Sequence, residues 1–341
     1  MTQSIRPSIS IALCTYNGVA HLSAQWQSLL EQDLLPDEVV ISDDQSTDGT
    51  VELIADLAAK APFTVRILAN PVRLGSNKNF ERALSACTGD LIYICDQDDF
   101  WLPEKIATVT QYMVENPAMQ VAFCDAWVTD EQLANKQGRM WEVVRFDAVA
   151  HERWQSGESM EILLDGNRMM GCASVVRKSF LPYVLPIPPD LPGDYIYDGW
   201  IALVAAASRQ LAYIDKPLQL YRTHVQQQIG VRAQEAQETV LVRKRVTRQR
   251  AQKLAPLQLK QAQLTKINQL LASRLPANAP GFSQLSRRLA HFTMRGNLPD
   301  NRLKRLAPVL GSIRQGNYQR YADASANWYA PYLAILGDIL E

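Results

Sequence analysis

Three carboxylates fall within four residues in the stretch Cys95-Asp96-Gln97-Asp98-Asp99-Phe100-Trp101-Leu102-Pro103. Charges of one sign this close repel and raise one another's pKa unless a cation sits between them. An apolar run, Leu91-Ile92-Tyr93-Ile94, leads straight into the cluster. Two readings fit. Carboxylates at the end of a buried strand can hold a hard divalent cation such as Mg²⁺ or Mn²⁺, with positions left open for phosphate. Alternatively Asp98 or Asp99 caps the helix that Pro103 begins, and the other acids are solvated. Capping needs one acid, and three are present.

Asp43 and Asp44 form a second acidic group, within Asp43-Asp44-Gln45-Ser46-Thr47-Asp48-Gly49-Thr50. As turn residues they would bond their own backbone. In a nucleotide pocket, one of them would accept a base N–H. A third polar cluster, Thr15-Tyr16-Asn17-Gly18, follows the β-rich run 9–13.

These clusters need a frame. Runs 9–13, 38–42, 65–68, 91–95 and 121–124 read as strands, and helical patterns fill 20–33, 51–59, 77–87 and 103–115. Thr47 or Asp48 would cap the second helix. Strand and helix alternate every 25–30 residues or so, which argues for an α/β fold with a mostly parallel, doubly wound sheet. Ligands in such sheets sit at the carboxyl ends of the strands. Three strands end in the polar clusters just described. The middle, 126–194, is irregular and rich in Trp, Pro and Gly, with a strand over 172–177. A helix over 195–208 and strands over 211–214 and 218–221 follow. After about residue 235 the pattern is helical. Leu264, Ile267, Leu271 and Leu275 mark an apolar stripe, and Pro276, Pro280, Pro299 and Pro308 punctuate the region into short helices.

The chain has 341 residues, 47% of them hydrophobic, and a formal net charge of zero. That zero hides an asymmetry. Residues 241–320 hold 17 Lys and Arg and a single acid, Asp300, so a basic arm follows an acidic body. Such an arm points to a polyanion or anionic membrane as partner, or to packing back on the acidic body. No nucleic-acid motif occurs in it, which argues against DNA or RNA. The five cysteines, at 14, 87, 95, 124 and 172, form no CxxC pair and read as reduced, buried thiols of a cytoplasmic protein. No signal-peptide pattern and no run long enough to span a membrane is present.

As an ordered set, Thr15-Tyr16-Asn17-Gly18, the Asp43–Thr50 cluster and the Asp96–Pro103 cluster resemble glycosyltransferase family 2, with its GT-A fold. A second block extends the resemblance: Tyr197-Asp198-Gly199-Trp200-Ile201-Ala202-Leu203-Val204-Ala205, then Tyr213-Ile214-Asp215-Lys216-Pro217-Leu218, then Tyr221-Arg222-Thr223-His224. It is similar to bacterial rhamnosyltransferase-like members, as is the C-terminal Tyr332-Leu333-Ala334-Ile335-Leu336-Gly337-Asp338-Ile339-Leu340. Three positions depart from the pattern: Tyr197 replaces a His, Gly199 a Trp and Gln227 an Asn.

The resemblance implies a Rossmann-like, mostly parallel sheet with helices on both faces. Residues 1–235 would form the catalytic domain, with the nucleotide bound by residues 1–125 and the acceptor by residues 126–235. Residues 236–341 would form a basic helical region. Thr15, Tyr16, Asn17, Asp43, Asp44 and Asp96 would bind the nucleotide. Asp98 would ligate Mn²⁺ or Mg²⁺, with His224 as a further metal or diphosphate contact. Asp198 would be the catalytic base. Arg168, Gly171, Cys172 and Trp200 would lie on the acceptor or donor-sugar side. The implied reaction is inverting transfer of a sugar from a UDP- or dTDP-sugar to a glycan acceptor, in bacterial surface polysaccharide biosynthesis. A polyprenyl-linked acceptor would place the enzyme on the inner face of the cytoplasmic membrane, with the stripe 264–275 lying on the lipid or packing on the body or a second subunit. Two competing classes are a nucleotidyltransferase, which normally carries a Gly-rich N-terminal loop with a basic residue, and a membrane- or polyanion-binding module with a degenerate catalytic domain.

Overall fold

A computed structural model describes residues 6–225, 227, 250–322 and 328–340. The chain divides into two compact units, Met1–Val231 and Arg232–Glu341.

The first unit begins with strict alternation: β1 (Ile9–Thr15), α1 (Val19–Leu30), β2 (Glu38–Asp43), α2 (Thr50–Ala58), β3 (Thr64–Ala69), α3 (Ser76–Ala86) and β4 (Leu91–Asp96). It continues with β5 (Phe100–Trp101), α4 (Lys105–Glu115), β6 (Val121–Thr129), β7 (Lys136–Arg139), α5 (Met140–Val143), α6 (Ala148–Gln155) and α7 (Ser159–Asp165). A 3₁₀ turn at Gly171–Ala173 leads to β8 (Ser174–Arg177), then α8 (Leu181–Val184), α9 (Tyr197–Ala207) and β9 (Leu211–Arg222). Asp48 contributes to the start of α2 by accepting from the Thr50 N–H at 3.1 Å.

The strands form one sheet in the order β3-β2-β1-β4-β8-β6-β9-β5, with β7 paired to β6. The first four strands in that order run parallel. Register sets Thr15 beside Asp43 and Cys14 beside Asp96, so the polar clusters emerge along one carboxyl edge. β8 runs antiparallel between β4 and β6, which brings its leading residues, Gly171–Ala173, to that same edge. β9 pairs antiparallel with β5, placing Gln219 opposite Trp101 just beyond the acid cluster. Ile11, Leu13, Ile41, Tyr93 and Trp101 are buried in the core beneath this edge. Full burial of such side chains supplies roughly 1.5–3 kcal/mol each.

Three sequence expectations change. Runs 211–214 and 218–221 are one strand, β9, continuous through a register shift where Cys124 faces Ile214 and Asp125 faces Pro217. The bulge absorbs Asp215 and Lys216, whose polarity had split the pattern. The run 172–177 is a 3₁₀ turn followed by a four-residue strand. The irregular middle holds four short helices, α5 to α8.

In the second unit, helices span Arg250–Ala272, Gly281–Gly296, Arg302–Arg314, Asn317–Arg320 and Ala330–Leu340. Leu264, Ile267, Leu271 and Leu275 are buried, and the helix bearing the first three packs on Gly281–Gly296. The stripe is therefore core, and is not available to lie on a membrane. Pro308 lies inside helix Arg302–Arg314 instead of ending it. The carbonyl it leaves without a donor belongs to exposed Lys304, where solvent can satisfy it. Asp338 is fully buried, accepting from Arg295 Nε and Tyr318 OH, each at 2.7 Å.

Candidate active site

The site's rim is built by side chains that knit three loops together. Asn17, at φ 48°, accepts from the Thr47 N–H at 2.9 Å, and its own N–H donates to Ser46 Oγ at 2.8 Å. The Gln97 amide clasps the Tyr16 backbone at both ends, accepting from its N–H at 2.9 Å and donating to its carbonyl at 3.0 Å. Gly18 is required by this clasp, because a Cβ there would lie 2.0 Å from Gln97 Oε1. Arg73 lies over the Tyr16 ring, 4.0 Å from its centroid.

Asp43 and Asp44 are buried and well bonded. Asp43 accepts from Thr15 Oγ1 (2.7 Å), Ser46 N (2.9 Å) and Ser46 Oγ (2.6 Å). Asp44 accepts from Asn70 Nδ2 (3.1 Å), Leu74 N (2.6 Å) and Gly75 N (2.9 Å), and so holds the loop after β3. A carboxylate has about four acceptor positions. Each of these two therefore keeps one for a further N–H.

The acids beyond β4 divide into two sets. Asp99 is turned inward, accepting from Gln219 Nε2 at 3.2 Å, and burial together with the Asp98 charge pushes its pKa up to about 7. Asp96 is held well above the usual carboxylate range, first by burial and then by the charges of Asp98, Asp99 and Asp198. Ligand atoms of Asp96, Asp99 and Cys172 all lie within 4.8 Å of one another. The Cys172 thiol is pushed well up by burial and so stays protonated, a poor ligand for a hard cation. Asp98 faces another way, with Oδ2 at 2.9 Å from His224 Nε2. Two ligands at right angles around an ion, each bonded at about 2.1 Å, stand about 3 Å apart. The Asp98–His224 spacing fits a shared ion as well as it fits a hydrogen bond. Asp96, Asp98 and Asp99 gather carboxyl oxygens at one edge, and a hard divalent cation such as Mn²⁺ or Mg²⁺ bound there would offset the repulsion that, after burial, raises the pKa of Asp96 and Asp99.

Asp198 opens α9. Its Oδ2 accepts from the Gly171 N–H at 3.0 Å and its Oδ1 from the Gly199 N–H at 2.5 Å. Burial nevertheless pushes its pKa up to about 6. Gly171 must lack a side chain here, since a Cβ would sit 2.2 Å from the Tyr197 hydroxyl. Tyr197 itself stacks on Phe80 at 4.1 Å.

The site residues expected from sequence thus separate by position. Thr15, Tyr16, Asn17, Asp43, Asp44, Asp96, Asp98, Gly171, Cys172, Asp198 and His224 converge on the carboxyl edge. Arg168 precedes the Gly171 turn, with its guanidinium largely desolvated and its Nε unbonded. Trp200 is buried in the core, and its Nε1 donates to the Val184 carbonyl at 2.9 Å. It braces α9 and contributes no wall to the site.

Several residues escaped the sequence reading. Lys105 is buried, donating to the Cys172 carbonyl at 2.8 Å and to Gln219 Oε1 at 2.5 Å, with Trp101 3.6 Å below. Gln219 passes this contact on to Asp99. His21, on α1, packs 4.4 Å from the His224 ring, and its pKa is lowered by burial and by His224. Nothing in the local sequence marks these residues, since each acts across a long span of chain.

An open α/β sheet with an acidic carboxyl edge is the architecture of the GT-A glycosyltransferases, and known structures agree. Staphylococcus aureus TarS 1–349 in complex with UDP-GlcNAc aligns with a TM-score of 0.51 and 14% identity, over 92% of this chain and 89% of that one. The mannosyltransferase PcManGT from Pyrobaculum calidifontis, in complex with GDP-Man and Mn²⁺, aligns with a TM-score of 0.51 and 16% identity, over 98% and 86%. The family model for Glycosyl transferase family 2 matches residues 10–181, half of the chain, and the chain belongs to that family. The dTDP-rhamnosyl transferase RfbG of Shigella flexneri is 26% identical over 227 residues, 64% of this chain and 73% of RfbG. An uncharacterized protein of Mycobacterium tuberculosis H37Rv is 26% identical over 219 residues, and the match spans 63% of this chain and 59% of that relative's length.

Proposed function

We propose that residues 1–235 catalyse inverting transfer of a sugar from a nucleoside-diphosphate sugar to a glycan hydroxyl, with Asp198 as general base. The observation that carries this reading is the placement of Asp198. Two backbone N–H groups fix its carboxylate, burial pushes its pKa up to about 6, and its charge is felt by Asp96 across the site. A base poised near neutrality both takes a proton readily and is ionised when needed.

The step balances simply. The acceptor oxygen attacks the anomeric carbon, the bond from that carbon to the diphosphate oxygen breaks, and the acceptor proton passes to an Asp198 oxygen. One displacement inverts the centre, so no enzyme nucleophile is required. Asp98, with His224, would hold the divalent ion, and Asp96 would face the ribose. Bound there, Mn²⁺ or Mg²⁺ supplies Lewis-acid stabilisation of the charge gathering on the diphosphate. Thr15, Tyr16, Asn17 and the last acceptor positions of Asp43 and Asp44 would receive the base. Asp99, drawn inward by Gln219, supports the acid loop from behind.

RfbG makes dTDP-rhamnose the first donor to test. UDP-GlcNAc and GDP-mannose follow from the structural neighbours. A panel of nucleotide sugars, assayed for metal-dependent hydrolysis and for transfer to a polyprenyl-linked glycan, decides the matter. Failure to turn over any nucleotide sugar with Mn²⁺ or Mg²⁺ present, from protein that still binds nucleotide, would overturn the reading.

A further inference from the structure

Helix Ala330–Leu340 carries one charged residue, Asp338, and that residue faces inward. Ile335 and Ile339 pack with it, against the cluster of Leu298, Val309 and Tyr318. The opposite side presents Tyr332, Leu336 and Leu340, all exposed and spaced by four residues. A helix that is apolar on both sides belongs in a core, against a partner or in lipid. Trp328, 83% exposed, stands just before it. Helix Arg302–Arg314 repeats the arrangement. Val309 enters the same cluster, whereas Leu303, Leu306 and Leu310 lie outward at i, i+3 and i+7, with Leu303 77% exposed. The two helices pack against each other.

Charge decides what covers these rows. Among the described residues from 250 onward, thirteen Lys and Arg face two acids, Asp300 and Asp338. Both acids are ion-paired, Asp300 with Arg250, and Asp338 with Arg295. Arg302, Lys304 and Arg314 are exposed on the helix that carries Leu303, Leu306 and Leu310. A second copy laid face to face would set these cations against their own kind. An anionic lipid surface accepts the apolar rows and the flanking cations together. Trp and Tyr at the end of such a row settle at headgroup level. Crossing the bilayer is excluded for these helices. They have 13 and 11 residues, about 20 and 16 Å against the ~30 Å of a hydrocarbon core, and no described helix is long and apolar enough to cross.

We propose that the outward rows of helices Arg302–Arg314 and Ala330–Leu340 seat the C-terminal unit flat on an anionic phospholipid surface. The surface takes over the role that the sequence had given to the buried stripe 264–275. The inference goes beyond the sugar-transfer reading, and its test requires no turnover.

The test is co-sedimentation of the full chain with phosphatidylglycerol vesicles and with phosphatidylcholine vesicles. The parent protein should sediment with the first and not the second, less so as salt is added. The variant L306S/L310S/L336S should partition at least about tenfold more weakly, since each leucine withdrawn from lipid forfeits the transfer energy of a buried side chain. The charge reversal R302E/K304E/R314E should lose binding without touching an apolar residue. All six positions are exposed, and the nucleotide-dependent melting shift of the first unit should persist in both variants. Three results would overturn the proposal. One is absence of phosphatidylglycerol binding by protein that still shows the nucleotide shift. Another is binding unchanged in both variants. The third is a parent dimer that the leucine variant converts to monomer, which would assign the face to a second copy.

Discussion

His224 Nε2 stands 2.9 Å from Asp98 Oδ2 across 126 residues of chain. The contact exists because β9, which ends at Arg222, pairs with β5 directly beyond the acid cluster. Arg222 secures the junction, its Nε donating to the Asp98 carbonyl at 2.7 Å. The pair is where we expect a divalent ion. Asp98→Asn keeps the size and removes the charge, so the melting shift produced by Mn²⁺ with UDP or dTDP should vanish. His224→Ala removes a ligand and should weaken Mn²⁺ binding by at least the roughly 10–100-fold that losing even an outer partner of a ligand costs. Full Mn²⁺-dependent transfer by Asp98→Asn would remove this residue from the metal site.

Asp198→Asn tests the base. The amide can still accept one backbone N–H, so the turn at Gly171 should persist. Transfer should slow by roughly 10²–10⁴, while donor and metal binding, read by calorimetry, stay near parental values. Simultaneous loss of donor binding would assign Asp198 to holding the start of α9 instead.

The pH dependence follows from the same carboxylate. Its pKa in the folded protein, about 6, lies above the ~3.9 of a free aspartate. Transfer should therefore fall about tenfold per unit below pH 6, as the base becomes protonated. For stability, a raised folded pKa means that folding favours the protonated form. That contribution is complete below about pH 3.9 and is lost as pH rises through about 6. At pH 8 the buried charge opposes folding by at most about 3 kcal/mol. Asp198→Asn should thus melt higher than the parent at pH 8, and the difference should shrink toward pH 4. A stability difference that grows on acidification would contradict the raised pKa.

How far the sequence carries this picture depends on the range of the interaction. The β-rich runs before each polar cluster are local signals, and β1, β2 and β4 lie where those runs put them. The carboxyl-edge rule then gathers Asp43, Asp44, Asp96 and Asp98 without any knowledge of side-chain contacts. β5, with two residues, has no periodicity to read. It is a strand only because β9 passes beside it. The stripe at Leu264, Ile267 and Leu271 was legible as an apolar face, but periodicity does not say what covers a face. Here the cover is helix Gly281–Gly296. Pro308 read as a helix stop because proline lacks an N–H, yet its site in the helix leaves the bereft carbonyl exposed. Lys105 gave no signal at all. A lysine near a helix start is expected at the surface, and only partners 67 and 114 residues away explain its burial.

Lys105 yields the last prediction. Its ammonium lies beneath the acid loop, donating to the Cys172 carbonyl and to Gln219 Oε1, with burial lowering its pKa. Because the ammonium can only donate, it fixes the Gln219 amide with its oxygen inward. The amide nitrogen then necessarily points at Asp99 and at Cys172 Sγ, each at 3.2 Å. Lys105→Met keeps the length of the side chain and leaves two buried acceptors unpaired. It should cost about 2–4 kcal/mol in urea denaturation. Gln219→Leu removes the next link and should also destabilise, by leaving Lys105 and Asp99 each short of a partner. If the ammonium orients the amide, the two substitutions share one loss. The double variant K105M/Q219L should then be less destabilised than the two single variants added together, by about 1 kcal/mol or more. An additive cycle would mean that the amide holds its orientation without Lys105, and that the lysine is a packing residue alone.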